Sequence, residues 1–231
     1  MAGPVNGYYD RAHLPRFPEI GEGQKALADA FFRYYGQVFR DGALSVREKA
    51  LMALSVAHAV QCPYCIDAYT SGSLEAGADL EQMTEAVHVA SVVRSASVMA
   101  YGTMMLGQAR QIGMGGQAVT VNQAYFDRGH LGQRDALVNE QPKLGLAFRT
   151  WEAATYAEGA LSAREKRLIA LSCAHAIQCP YSIDDATASL NALGATLPEL
   201  TEAVHVANAI RGGAALVHGV QMLDQVHGKT F

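Results

Sequence analysis

The sequence predicts an all-α protein made of a duplicated helical domain. Three observations carry that expectation: a gapless internal repeat, apolar residues recurring at helical spacing, and capping boxes that open successive helices. No stretch alternates polar and apolar residues with the period of two that a half-buried strand needs. Positions 117 residues apart match throughout: Asp10, Arg11, His13 and Leu14 fall on Asp127, Arg128, His130 and Leu131, and Tyr8 falls on Tyr125. Ala57-His58-Ala59 falls on Ala174-His175-Ala176, and Thr84-Glu85-Ala86-Val87-His88 on Thr201-Glu202-Ala203-Val204-His205. The copies span residues 7–114 and 124–231, and glycine-rich residues 113–116 read as their joint. Two copies are too few for a solenoid, so the halves are expected to pack as an internal pseudo-dimer.

Taken in order, Gln24 to Arg40 carries Leu27, Phe31, Tyr34, Tyr35 and Val38 on one helical face. Ser45-Val-Arg-Glu48 is a capping box, in which the serine hydroxyl meets the Glu48 N–H and the glutamate reaches back; Ser162-Ala-Arg-Glu165 repeats it. The helix it opens ends near Gln61, because Pro63 cannot continue it but suits the first position of the next. That next helix ends at Gly77. Asp79-Leu-Glu-Gln82 and Thr196-Leu-Pro-Glu199 open the long last helix of each copy.

At 231 residues, half of them hydrophobic, the chain can bury a sizeable core. Net charge is −4 with no basic run, which argues against nucleic acid as a partner. Arg94 interrupts the long apolar segment after Asp79, so no membrane span is expected. The N-terminus lacks the basic start and apolar run of a secretion signal, which suggests a cytoplasmic location. Four cysteines, Cys62, Cys65, Cys173 and Cys179, are not a disulfide scaffold; one close pair points to redox or metal chemistry.

That pair is the most informative feature. Residues 62–65 read Cys-Pro-Tyr-Cys, and their counterparts 179–182 read Cys-Pro-Tyr-Ser. A dithiol can close a disulfide; a lone thiol cannot, so the chemistry is expected in the first copy and the second reads as scaffold. With Pro63 at the first helical position, Cys62 becomes the N-cap and Cys65 lies in the first turn. Free backbone N–H groups and the positive helix end favour a thiolate there, and the thiolate is the reactive form. The alternatives are a metal site or two small buried hydrophobes.

Several residues are candidate supports. His58, four residues before Cys62, is expected on the same helix face, as a proton acceptor or a core histidine. Tyr69 tracks the dithiol, since Ala186 replaces it in the second copy; its phenol would bond a thiolate or peroxide, or simply pack. Glu85 and His88, three apart, are expected to pair, with His88 near the thiols as the other reading. Glu48 is assigned to its capping box, Tyr64 and Tyr181 to packing, and Cys173 to the core. Arg94 and Arg211, on apolar surfaces, are expected to find carboxylates.

The stretch Arg47-Glu-Lys through Leu54-Ser-Val-Ala-His-Ala-Val-Gln-Cys-Pro-Tyr-Cys-Ile-Asp-Ala-Tyr-Thr70 resembles the alkylhydroperoxidase D-like and carboxymuconolactone decarboxylase-like family. The likeness covers residues 44–106 and 161–223 and extends to small peroxidase-like proteins associated with arsenosugar biosynthesis. It implies an all-α fold and, for a two-repeat chain, a homotrimer imitating a hexameric ring. It also implies reduction of hydroperoxides by the Cys62/Cys65 pair, with attack by Cys65, resolution by Cys62 and recharging by a lipoyl or thioredoxin-like dithiol. No cofactor or metal is implied. The family's relay glutamate and histidine fall on Ala50 and Tyr69, so another group among His58, His88 and Tyr69 would have to replace them. The decarboxylase branch uses no dithiol. The expectation is a thiol-dependent antioxidant oxidoreductase. Its alternatives are a soft-metal or arsenic(III)-binding module using Cys62, Cys65 and His58, and a ring-forming scaffold with inert cysteines.

Overall fold

The computed structural model describes residues 9–115 and 126–228. The repeat match of Tyr8 to Tyr125, the far end of the joint at Gly116 and the outer ends of both copies lie outside the described residues. Within them there is no strand. A 3-10 segment at Arg11–Gly21 precedes α1 (Lys25–Val38), α2 (Val46–Ala59), α3 (Pro63–Glu75) and α4 (Leu80–Gln111). The second copy repeats the order: a 3-10 segment at Arg128–Gln133, α5 (Arg134–Glu140), α6 (Pro142–Tyr156), α7 (Ala163–Ala176), α8 (Pro180–Ala192), α9 (Leu197–Val217) and α10 (Gly219–Val226). All four capping boxes form, at Ser45/Glu48, Asp79/Gln82, Ser162/Glu165 and Thr196/Glu199.

The helices α2 and α7 pack on each other at the centre. Leu51 to Ala57 of α2 and Leu168 to Ala174 of α7 are buried on every side, as expected of helices enclosed by others. Around them α3 and α4 cover α2, α8 and α9 cover α7, and the last helices also cross over, α4 onto α7 and α9 onto α2. One core therefore takes side chains from both copies, Leu51 and Val89 from the first, Leu168 and Val206 from the second.

The crossovers are stapled by charge. The ammonium of Lys49, buried on α2, meets the Glu202 carboxylate of α9 at 2.9 Å, and Lys166 of α7 meets Glu85 of α4 at 3.1 Å. By length and composition α4 alone among the described residues is apolar enough to cross a membrane, despite Arg94. Here its Ala86, Val89, Ala90 and Val93 belong to the shared core.

One departure from repeat symmetry matters for the site. In the first copy α4 runs unbroken for 32 residues. In the second, the helix is interrupted at His218, and the short α10 that follows packs on the N-terminal 3-10 segment. His218 and Gln221 lie here against Tyr64 of the first copy's dithiol segment.

Candidate active site

The α2–α3 connection sets the position of the cysteines. Gln61 adopts a left-handed conformation, φ 56°. The Gln61 N–H bonds the His58 carbonyl and the Cys62 N–H bonds the Ala57 carbonyl, both at 3.1 Å, a Schellman closure of α2. Arg94 donates to the remaining Ala59 carbonyl and to Gln61 Oε1. The expected carboxylate partner is therefore replaced by the negative end of a helix, and Arg211 does the same at Ala176 and Gln178. Cys62 thus ends one helix and caps the next: its backbone is extended (φ −93°, ψ 106°) and its sulfur accepts the Cys65 N–H at 3.3 Å.

All four cysteines are thiols, but the two of the pair differ. A hydrogen bond from the Cys65 thiol is the largest influence bringing the Cys62 thiol down to about 6, against the opposing effect of burial; the Cys65 N–H, the charge of His218 and the Tyr64 N–H add to it. Cys65 is pushed up, first by that same hydrogen bond, then by burial and by the neighbouring charge. The hydrogen bond between the two thiols thus favours negative charge on Cys62 and the proton on Cys65. Cys173 is pushed up by burial alone, as an inert core thiol should be. Thiolate absorbance of the reduced protein should therefore rise through about pH 6, well below the ordinary thiol value of 9.0, and Cys62→Ser should remove that step. A single step near 9 would contradict the assignment.

Beside the pair lies a cavity of about 60 Å³ lined by Cys65, Tyr64, Tyr35, Tyr69, Phe17 and Leu14, and closed by Ile210, Gly213 and Val217 of α9. Its wall is apolar apart from the thiol and the phenols. The second copy places equivalent positions around a cavity of about 20 Å³. There Phe17 becomes Arg134, Tyr35 becomes Glu152, Ala68 becomes Asp185 and Cys65 becomes Ser182. Arg134 pairs with Glu152 at 3.0 Å, and Arg167 pairs with Asp185 at 3.1 Å while lying 3.7 Å over the Tyr156 ring. Charge fills the space that is open and apolar in the first copy.

Of the residues singled out from sequence, the structure brings Tyr69 to the cavity with Cys65, though its hydroxyl bonds that of Tyr35 and its ring stacks on Phe39. His58 is not aligned with Cys62 along one face, because the left-handed turn at Gln61 ends the helix first; its Nδ1 bonds the Leu54 carbonyl at 2.9 Å. The Glu85–His88 pair does not form. Glu85 crosses to Lys166 and to the N–H groups of Ala160 and Leu161, and His88 accepts from the Trp151 indole at 3.5 Å and is not among the residues lining the Cys65 cavity. Among the described residues no group of three His, Cys, Asp or Glu side chains is placed to hold a metal ion, so His58 does not complete a three-ligand site with the thiols.

Sequence reasoning missed the residues supplied by chain ends. His218 stacks edge-on against Tyr64, with ring centroids 5.2 Å apart, and contributes to the charge around Cys62. His13 Nδ1 lies 2.9 Å from the Tyr64 hydroxyl, and His13 Nε2 lies 3.0 Å from Asp224. A signal was present in the repeat register: His218 falls on Tyr101 and Asp224 on Gly107 in the other copy, so both, like Cys65, distinguish the dithiol site.

The model of the carboxymuconolactone decarboxylase family matches residues 25–102 and again 142–225. The chain belongs to that family. A relative from Paracoccus denitrificans, "Uncharacterized protein 4 in cox locus", is 41% identical over 90 residues, 38% of this chain and 81% of that protein. A crystal structure from Burkholderia xenovorans, of a "putative gamma-carboxymuconolactone decarboxylase subunit", superimposes with a TM-score of 0.70 over 95% of this chain and 96% of that one. At 17% identity that likeness establishes the fold. Both copies of this family member thus keep the family's helical unit, and the first adds the dithiol and its cavity.

Proposed function

We propose that this family member is a thiol-dependent peroxidase that reduces organic hydroperoxides through a Cys62/Cys65 dithiol–disulfide cycle. One observation carries the reading: a dithiol at a helix N-cap, its Cys62 sulfur accepting the Cys65 N–H at 3.3 Å, opens through Cys65 onto an apolar cavity of about 60 Å³, where the thiol-poor copy has a cavity of about 20 Å³ lined by charged side chains.

The chemistry follows from that arrangement. The hydroperoxide enters the cavity and meets Cys65. As the Cys65 sulfur attacks the outer oxygen, its proton passes to the Cys62 thiolate, the S–O bond forms and the O–O bond breaks. The departing alkoxide takes up a proton and leaves as alcohol. Cys62 then gives up the proton it received and attacks the Cys65 sulfenic sulfur as thiolate; the S–S bond forms, the S–O bond breaks, and the hydroxyl leaves with that proton as water. Residues three apart in a first helical turn lie within reach of such a bond. An external dithiol of the lipoyl or thioredoxin type restores the pair by exchange.

The apolar lining favours an alkyl or aryl hydroperoxide over hydrogen peroxide, which would desolvate without matching hydrogen bonds. One equivalent of cumene hydroperoxide should consume two thiols per reduced chain and release one equivalent of alcohol, faster than hydrogen peroxide does. Persistence of the thiols with the peroxide intact would reject the reading.

We propose further that the chain works as a homotrimer. Exposed apolar side chains recur one repeat apart, Leu27 with Leu144, Leu80 with Leu197 and Met105 with Met222, the pattern that suits a pseudo-sixfold ring.

A further inference from the structure

We infer that Asp224, His13 and Tyr64 form a proton relay into the dithiol cavity, and that Tyr64 hands the proton to the departing alkoxide. The inference rests on the peroxidase reading above.

Cleaving the O–O bond of an alkyl hydroperoxide releases a strongly basic alkoxide, which needs a proton as it leaves. The residues lining the cavity that carry a thiol or hydroxyl are Cys65, Tyr35, Tyr64 and Tyr69. Tyr35 and Tyr69 bond each other. Tyr64 instead leads away from the cavity into a buried chain of ionisable groups. His13 Nδ1 is 2.9 Å from its hydroxyl, and His13 Nε2 is 3.0 Å from the Asp224 carboxylate. Arg16 grips both oxygens of that carboxylate, at 2.8 and 3.0 Å, and also bonds the more exposed Glu19. His13 and Asp224 are 4% and 5% exposed, a burial that such groups tolerate only when paired. Gln221 Nε2 approaches the Tyr64 oxygen at 3.4 Å, which occupies a lone pair and leaves the O–H to point elsewhere.

The other copy is the internal control. There the tyrosine persists as Tyr181 and the histidine as His130, but Asp224 is replaced by Gly107 and Gln221 by Met104. His130 turns to Thr103 at 3.1 Å, and the buried Tyr181 hydroxyl has no partner. The relay is complete only beside the dithiol.

His13 carrying both protons donates Nε2–H to Asp224 and Nδ1–H to the Tyr64 oxygen. Tyr64 gives its hydroxyl proton to the alkoxide, takes the Nδ1 proton in return, and His13 is left neutral to be reprotonated from solvent. Tyr64 is the catalytic group; His13 and Asp224 are positioning residues.

The test separates proton delivery from folding by varying the leaving group. Reduced protein is mixed in single turnover with tert-butyl hydroperoxide, which expels an alkoxide, and with peracetic acid, which expels a weakly basic carboxylate. Tyr64→Phe should slow the first reaction about a hundredfold and the second far less. Asp224→Asn, which keeps the shape of the side chain, should show the same selective loss and serves where Tyr64→Phe is unstable. Tyr181→Phe should leave the ratio of the two rates at the wild-type value. Equal slowing of both oxidants, or of neither, overturns the relay while the peroxidase reading stands. A wild-type chain inert to both oxidants overturns the two together.

Discussion

Cys65→Ser should abolish catalytic peroxide turnover, by at least about a thousandfold, the scale seen when a nucleophile acting as one of a unit is removed. The variant should fold normally, because the second copy already contains the substitution: Ser182 donates to Cys179 at 3.3 Å in the same helical turn. Cys62→Ser should behave differently. It keeps the sulfur that faces the cavity, so it should release one alcohol per chain at reduced rate, stop, and carry a sulfenic acid on Cys65 that a dimedone probe labels. Product analysis by mass spectrometry distinguishes the two. Sustained turnover by Cys65→Ser is the result that sinks the assignment. Label on Cys62 in that variant would exchange the roles of the sulfurs, making the resting thiolate the attacking atom.

The helices were legible because their signals are local. Capping boxes, Pro63 and Gly77 act within one turn of chain, and each does in the structure what its residue type demands. The dithiol at a helix start was legible for the same reason. Sequence reasoning lost side chains whose partners lie across the repeat boundary, and His58, whose helix ends early. Glu85 and His88 are one helical turn apart and look like a pair, but α4 crosses onto α7, and there Lys166 and two orphan N–H groups outbid the histidine. His58 was extrapolated along a helix that a left-handed Gln61 ends before Cys62. Tyr64 looked like packing because its counterpart Tyr181 is packing; the difference lies in Asp224 and Gln221, some 160 residues away in sequence. Comparing the copies position by position, rather than only where they agree, exposes these residues.

Glu202→Ala should be among the most destabilising single changes outside the core. Glu202 accepts the N–H groups of Ala43 and Leu44 at 2.9 Å each, and meets Lys49 Nζ at 2.9 Å. The Lys49 side chain is 3% exposed, so removing the carboxylate leaves a buried ammonium bonded to the Arg40 carbonyl at 2.5 Å but without its counter-charge. Stranding a buried charge costs about 3–5 kcal/mol, which for a chain of this size lowers Tm by on the order of 10 °C. Burial pushes the Glu202 carboxyl up, but Lys49 and the two backbone N–H groups overcome it and hold the group below its ordinary value of 4.5. A depressed carboxyl stabilises above its unfolded value and loses that contribution as it becomes protonated. The gap between wild type and variant should therefore be full at neutral pH and narrow as pH falls below 4.5. Adding Lys49→Met to Glu202→Ala should recover part of the loss, since it removes the stranded charge. A variant melting within a degree or two of wild type at pH 7 would show that this crossing is not what binds the copies. The consequence reaches the site, because α9 leads directly through His218 into α10, which carries Asp224 to His13. Loosening α9 from α2 should therefore disturb the charge around Cys62 as well as the melting temperature.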